Sequence, residues 1–377
     1  MQRPVAIDLF SGGGGFSLGL ESAGFDVVMA IENDPIHCLI HHYNFPYSAM
    51  MCNDIAKLTA KKILDKIELK GFKTEIDLVV GGPPCQGFSI IGKHRLDDPR
   101  NHLIFEYLRL IKEIKPKYFL FENVPNIVSK KNNHFLQELI ASFENSGYKV
   151  VLPVQVLNAC SYGAPQNRQR LILIGYRKDL TPPKYPLSTH GNTQNNLLNL
   201  PLTTTKETLL DLEAIPVFIE NDKGINANEL NYQDFRENFN IEPSQIFRYC
   251  HKRQGNGKVY GHIGSSHSHE SIKRFKVAKQ GKIEAISRFY KLTPNGLCHT
   301  LRAGTFNDHG SHTAPRPIHY EQPRCISIRE AGRLHTFPDW FRFHRTIWHG
   351  FREIGNAIIP FLAKSLCDEI RQCLEIN

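Results

Sequence analysis

The run Gly81-Gly82-Pro83-Pro84-Cys85-Gln86-Gly87-Phe88-Ser89 directly follows the apolar stretch Ile76-Asp77-Leu78-Val79-Val80. That order sets one thiol at the carboxyl end of a buried strand, where open α/β sheets carry their chemistry. Two prolines hold the backbone extended ahead of the sulfur. The flanking glycines let a flat substrate or another backbone come close. A thiol presented this way is placed as a nucleophile. Tyr118-Phe119-Leu120-Phe121 then runs into Glu122-Asn123-Val124-Pro125, and Gln166-Asn167-Arg168-Gln169-Arg170 precedes another strand. In a parallel sheet Cys85 and Glu122 emerge at one edge, with the guanidinium groups of Arg168 and Arg170 aimed at it. Taken singly, a buried cysteine is most often a small inert hydrophobe, and a Glu beside an Arg is often a plain ion pair. Thiol, carboxyl and guanidinium converging on one edge, beside a ligand loop, describe a catalytic site.

That ligand loop is Asp8-Leu9-Phe10-Ser11-Gly12-Gly13-Gly14-Gly15-Phe16, between the first strand and a helix. Its glycines allow a tight turn and close backbone approach to a ligand at the helix N-terminus. The run lacks the Lys-Ser/Thr of a phosphate-gripping loop, and Ser17 stands where the third glycine of G-x-G-x-x-G belongs. Glu32 closes the second strand, where a carboxylate accepts hydrogen bonds from ribose hydroxyls. Asp54, just before Ile55, is placed at a third strand's end to serve a purine amino group. A glycine run alone can be a structural turn. With two acidic residues at strand ends it describes a nucleoside cofactor without a strong phosphate grip, which fits S-adenosylmethionine.

The elements that must position these groups are legible in the first half. Strands are expected over 4–10, 26–31, 76–80, 117–121, 149–157 and 171–177, and helices over 16–23, 34–43, 57–67, 101–114 and 132–146. In the helix at 101–114, Leu103, Ile104, Tyr107, Leu108, Ile111 and Ile114 recur at helical spacing, giving a face that packs on a sheet. Such alternation predicts a mostly parallel, doubly wound sheet. After Arg177 the pattern weakens. Residues 179–205 are rich in Pro, Asn and Thr, and clear helical spacing returns only over 356–374, with Ile358, Phe361, Leu362, Leu366 and Ile370 on one side.

The chain has 377 residues, 41% of them hydrophobic, with no long uncharged apolar run; a membrane span is not expected. A strand begins almost at residue 1, so no signal peptide is expected. Nine scattered cysteines without a C-x-x-C pair favour a reduced, cytoplasmic setting. Of the net charge of +9, residues 241–353 contribute a surplus of 11, from 19 Lys or Arg against 8 Asp or Glu. This is the footprint of a polyanion partner, although a solvated basic face has the same composition. His262, His267 and His269 lack the Cys or carboxylate set of a metal centre and are read as a polar loop, so no metal is expected.

Together these residues resemble the DNA (cytosine-5) methyltransferases of bacterial restriction–modification systems, over nearly the whole chain and in the family's order. The resemblance is carried by Phe10-x-Gly12-x-Gly14, Pro84-Cys85-Gln86, Glu122-Asn123-Val124, Gln166-x-Arg168-x-Arg170, Arg329-Glu330-Ala331-x-Arg333 with Phe337-Pro338-Asp339, and Gly355-Asn356-Ala357. Asn53 stands where Gly is usual before Asp54, and Ala357 where Ser is frequent. The resemblance implies a Rossmann-like S-adenosylmethionine-dependent methyltransferase sheet with a smaller, irregular target-recognition domain. It implies a catalytic and cofactor-binding domain over 1–185, completed by 345–377, and a recognition domain over 186–344. Cys85, Glu122, Arg168 and Arg170 are then catalytic, with Arg170 the preferred contact to the cytosine carbonyl. Phe10, Gly12, Gly14, Glu32, Asp54, Ile55, Pro84, Leu103, Asn356 and Ala357 hold the cofactor. Gln86, Ser89, Asn123 and Arg302 meet the substrate, which is double-stranded DNA. Residues 90–96 are expected to close over DNA, and the loops at 252–257 and 302–305 to reach a groove. No stable protein partner is evident, and a monomer is expected.

Two other kinds of protein share parts of this pattern. A tRNA cytosine-5 methyltransferase shares these motifs but usually carries a Cys-Phe-Thr tripeptide, absent here. A catalytically idle DNA-binding relative predicts damage at the nucleophile or its carboxylate partner, and Cys85 and Glu122 are both present.

Overall fold

A computed structural model describes residues 3–84, 102–129, 133–191, 196–227, 230, 257–304 and 316–376. Strand and helix alternate through β1 (Val5–Leu9), α1 (Gly15–Ser22), β2 (Asp26–Glu32), α2 (Pro35–Asn44), β3 (Ala49–Cys52), α3 (Ala60–Leu69), β4 (Leu78–Gly81), α4 (His102–Ile114), β5 (Tyr118–Asn123) and α5 (Asn133–Glu144). Then come β6 (Tyr148–Val150), β7 (Gln155–Asn158), the short β8 (Gln166–Asn167) and β9 (Gln169–Arg177). The large sheet has the order β3-β2-β1-β4-β5-β9-β6, with β7 also paired to β9. β1 to β5 are mutually parallel, whereas β9 runs antiparallel to β5, β6 and β7. This is the doubly wound α/β sheet expected from the sequence. Its order reverses between β1 and β4, the position at which doubly wound sheets place ligands at the carboxyl ends of their strands.

Period-2 alternation sends side chains to opposite faces. Ile7, Leu9, Phe119, Phe121, Leu171 and Leu173 join the α3, α4 and α5 apolar faces in one core. Ala6, Leu78, Val80, Leu120, Ile172 and Ile174 point the other way, onto α1 and the C-terminal helix Pro360–Ile376. α1 and that last helix cross closely at Gly19, where a Cβ would strike Ala363. Both ends of the chain therefore build one layer on that face of the sheet.

The differences from expectation have local causes. The expected strand over 149–157 is two strands, separated around Pro153, which has no amide to give a ladder. β3 carries only Ala-Met-Met-Cys and no β-branched run; its place is set by pairing with β2. The helix expected from 57 starts at Ala60, because Asp54 caps a separate 3-10 turn over Ile55–Lys57. The helical segment expected from 356 is also divided. Asn356 ends the helix Ile347–Asn356, and Pro360, unable to donate to a preceding turn, opens the next.

Beyond Arg177 the described chain has short pieces around a third core of Leu209, Ile263, Leu292, Leu301, Ile328, Leu334, Phe351 and Ile354. Two short helices there, Thr205–Leu209 and Ile328–Leu334, begin with full capping boxes, Thr204 with Glu207 and Ser327 with Glu330. Phe337, Trp340 and Phe341 lie on Leu18 and Phe45 of the first half.

Candidate active site

β4 and β5 are parallel and in register, Gly81 beside Phe121, so the Pro83-Pro84 run and Glu122 leave the sheet at the same edge. Antiparallel β9 places Ile172 opposite Glu122. Arg170, two residues away on the same face, is its diagonal neighbour. Its Nε lies 2.7 Å from Glu122 Oε1, and both side chains are largely shielded. A Cβ on Gly82 would come within 2.8 Å of Glu122 Oε2, so that glycine leaves room for the carboxyl. Asn123 is buried and gives Nδ2 to the Pro83 carbonyl (3.0 Å), while its Oδ1 accepts the Val124 amide (2.8 Å). It was expected at the substrate. Instead its amide ties β5 to the backbone two residues before Cys85. Cys85 itself, with Gln86, Ser89 and the 90–96 segment, lies outside the described residues.

The two arginines of Gln166-x-Arg168-x-Arg170 occupy different places. Arg170 meets Glu122, whereas Arg168 is 2% exposed and bonds the carbonyls of Leu301 (2.9 Å), Gly355 (2.8 Å) and Ala357 (3.0 Å). Burial, then the nearby Arg170 charge, lowers its pKa well below the usual arginine value. Both guanidinium groups were expected at one edge; Arg170 meets Glu122, while Arg168 is held on these carbonyls. Strand alternation is not the reason, since the two share a parity; the carbonyls of two distant segments capture Arg168.

On the cofactor side, Glu32 Oε2 accepts the Gly12 amide (2.9 Å), and Oε1 accepts those of Asn33 and Asp34 (2.9 Å each). This one carboxylate joins the glycine loop to the start of α2. Gly12 has φ +52° with nothing within 4 Å of a would-be Cβ, so its open side faces free space. Gly14, at φ +108°, has no room for a side chain against Phe45. Phe10 also takes a positive φ, 58°, and packs at the margin of the core with Leu103. Asp54 Oδ1 caps the following turn through the Ala56 amide (3.1 Å), and Ile55 is buried in the core. Pro84 and Asn356 are exposed, and Ala357 is half-buried.

Sequence reasoning missed what underlies this loop. Asp8, buried at the end of β1, accepts the Ser17 amide (3.0 Å) and hydroxyl (2.7 Å), and Ser17 Oγ is 2.8 Å from His41 Nε2. Burial raises the Asp8 carboxyl to about 7. Glu353, also buried, lies against Gly13 and is raised by burial to about 8. An acidic residue inside an apolar strand was the available signal for Asp8; nothing local marked Glu353.

The Arg329-Glu330-x-x-Arg333 motif is a buried brace. Arg329 bonds the carbonyls of Tyr260, Pro338 and Phe341. Arg333 joins Asp339 (2.6 Å) and Asp211 (2.5 Å). Burial opposes the Glu330 charge, but its Arg324 hydrogen bonds hold the carboxyl down at about 2. His262 is likewise structural, bonding Ser327 and the Ile215 carbonyl, while His267 accepts the Cys325 amide and His269 opens a helix. Arg302 is exposed beside Leu301. Of the two expected groove loops, 252–256 and 305 lie outside the described residues.

A strand-order reversal with a glycine loop on one side and a carboxylate–arginine pair on the other places the chain in the Rossmann-like class of doubly wound folds. Residues 5–372 match the C-5 cytosine-specific DNA methylase family. The chain is 45% identical to the Type II methyltransferase M.XorII of Xanthomonas oryzae pv. oryzae, over 99% of this chain and 86% of that one. It is 32% identical to M.DdeI of Desulfomicrobium norvegicum, over 97% and 88%. A solved DNA modification methyltransferase encoded within an E. coli prophage superposes with a TM-score of 0.81 at 33% identity, over 99% of each chain. The S. pombe Dnmt2 structure shares the fold, with a TM-score of 0.56 at 16% identity. The chain belongs to the C-5 cytosine-specific DNA methylase family; it is a DNA (cytosine-5-)-methyltransferase. DNA is accordingly its substrate. Among the described residues no helix is long and apolar enough to cross a membrane.

Proposed function

We propose that this enzyme is the methyltransferase of a Type II restriction–modification system, acting on bacterial chromosomal DNA in the cytoplasm and protecting sites from a cognate endonuclease. The relatives of that description, matched over nearly the full chain, support the reading. We assign catalysis and cofactor binding to 1–185 with 345–377, and target recognition to 186–344, which contains most of the basic stretch 241–353.

The observation that carries the mechanism is the Glu122–Arg170 pair, at the sheet edge where the Pro83-Pro84 run, which Cys85 follows in sequence, also emerges. Carbon 5 of cytosine is a poor nucleophile. The Cys85 thiolate adds to carbon 6, and the ring becomes an enamine that can accept a methyl group. Glu122 hydrogen-bonds ring nitrogen 3 and the exocyclic amine as charge builds there. Arg170 holds Glu122 and reaches the carbonyl oxygen. After transfer, loss of the carbon 5 proton restores the double bond and expels the thiol. A stacked base offers none of these faces, so the target cytosine must be flipped out of the duplex. Residues 90–96 are proposed to close over it.

The cofactor proposed is S-adenosylmethionine, which supplies a methyl group on a sulfonium. Open space beside Gly12, acidic residues at the ends of β2 and β3, and no phosphate-gripping lysine in the glycine loop fit that group. Phe10, Gly12, Gly14, Glu32, Asp54, Ile55, Pro84, Leu103, Asn356 and Ala357 would hold it.

The test is expression in a host lacking cytosine methylation, followed by mapping of 5-methylcytosine. One short duplex sequence should be modified throughout. Cys85→Ser should abolish transfer and keep DNA binding; full activity in that variant would refute the covalent route. Methyl incorporation into tRNA rather than duplex DNA would overturn the substrate.

A further inference from the structure

Four segments, at 166–168, 301, 334–335 and 355–357, are joined by side-chain hydrogen bonds next to Arg170. Gln166 accepts the Leu301 amide on Oε1 (3.1 Å) and gives Nε2 both to the Leu334 carbonyl (3.1 Å) and to His335 Nδ1 (3.1 Å). His335 Nε2 lies 3.0 Å from the Ala357 carbonyl. A carbonyl only accepts, so Nε2 carries the proton and Nδ1 accepts from Gln166. The ring is thus neutral, the form that burial and the Arg168 charge both favour. Arg168 bonds Leu301, Gly355 and Ala357 from the other side.

The consequence is a mutual lock. Leu301 is held at both its amide and its carbonyl, and the Ala357 carbonyl takes donors from two residues. All three side chains are buried. A Cβ on Gly355 would strike the backbone of Arg302 and Ala303, so the two segments touch without an intervening side chain. Neither can shift while the other keeps its hydrogen bonds.

We propose that Gln166, Arg168 and His335 form one positioning unit that joins the Leu301–Ala303 backbone to the Gly355–Ala357 segment at the end of the helix Ile347–Asn356, so that duplex DNA at Arg302 and cofactor at Asn356 and Ala357 strengthen each other's binding. The inference rests on the cofactor and DNA edges assigned under the proposed function. A ligand that orders one segment lowers the ordering cost of the other, and the gain is reciprocal.

The experiment uses the full chain, S-adenosylhomocysteine, and a duplex carrying the site found by methylation mapping. Each affinity is measured by calorimetry with and without the other ligand. In the wild type, each ligand should tighten the other by about tenfold. His335→Phe should bring that factor to within about twofold of unity. His335→Gln, whose amide offers one donor and one acceptor, should restore it. If His335→Phe does not fold, Gln166→Leu carries the same expectation. A wild type that binds both ligands independently overturns the proposal, as does a folded His335→Phe or Gln166→Leu that keeps full coupling. A wild type that binds no S-adenosylhomocysteine defeats the cofactor assignment instead.

Discussion

Glu122 and Arg170 sit on neighbouring antiparallel strands one diagonal step apart, with Arg170 Nε 2.7 Å from Glu122 Oε1. The carboxylate is therefore oriented before any base arrives, and one oxygen already has its partner. Because electrostatic catalysis depends on donors fixed in advance, Arg170→Ala should lower kcat by about 10²–10³-fold. Arg170→Lys should recover little of it, since an ammonium lacks the planar fork. Initial rates of methyl incorporation, beside gel-shift affinities that stay near wild type, check this. A loss under about threefold would remove Arg170 from the reaction.

Asn123 tests how the Pro83-Pro84 run is held. Asn123→Ala breaks the tie to the Pro83 carbonyl and leaves that buried acceptor unpaired, a loss of about 1–3 kcal/mol. Denaturant midpoints should fall accordingly, and kcat should drop more than DNA affinity. An unchanged kcat would mean that the Pro-Pro run holds its path without β5.

The buried brace should matter to stability rather than to chemistry. Asp339→Ala strips Arg333 of a fully buried partner, and removing one member of such a pair costs about 3–5 kcal/mol. Thermal unfolding should show a large fall in Tm, while any folded fraction methylates at an ordinary rate.

Asp8 and Glu353 predict a pH dependence whose sign follows from their direction of shift. Burial holds Asp8 at about 7 against an ordinary 3.8, and Glu353 at about 8 against 4.5. Between those values the folded chain binds more protons than the unfolded one, so stability falls as pH rises from about 4 to 8. Asp8→Asn and Glu353→Gln should each flatten that decline, by a few kcal/mol at most. Glu330, held down at about 2, acts oppositely: its stabilisation is present above about 4.5 and lost as pH falls toward 2. Urea unfolding at several pH values separates the three. Curves for the variants that parallel the wild type would contradict the burial assigned to these carboxyls.

Most of the sheet could be read from the pattern of residue types alone. Alternating apolar runs specified β1, β2, β4, β5 and β9, because a strand buried on both faces needs apolar residues throughout. Glu122 and the Pro83-Pro84-Cys85 run were legible because strand ends set where side chains emerge. Other features depend on long-range packing that no local pattern records. β3, with its plain Ala-Met-Met-Cys, is a strand only because β2 offers it an edge. Arg168 and Arg170 are the same residue type two positions apart, yet one grips Glu122 and the other is drawn to carbonyls of residues 301, 355 and 357. Asn123 and His335 bond partners 40 and 169 residues away, and Glu353 lies against Gly13. A hydrogen bond or a buried charge is settled by whichever partner the fold brings within reach, and spacing along the sequence carries no record of that partner.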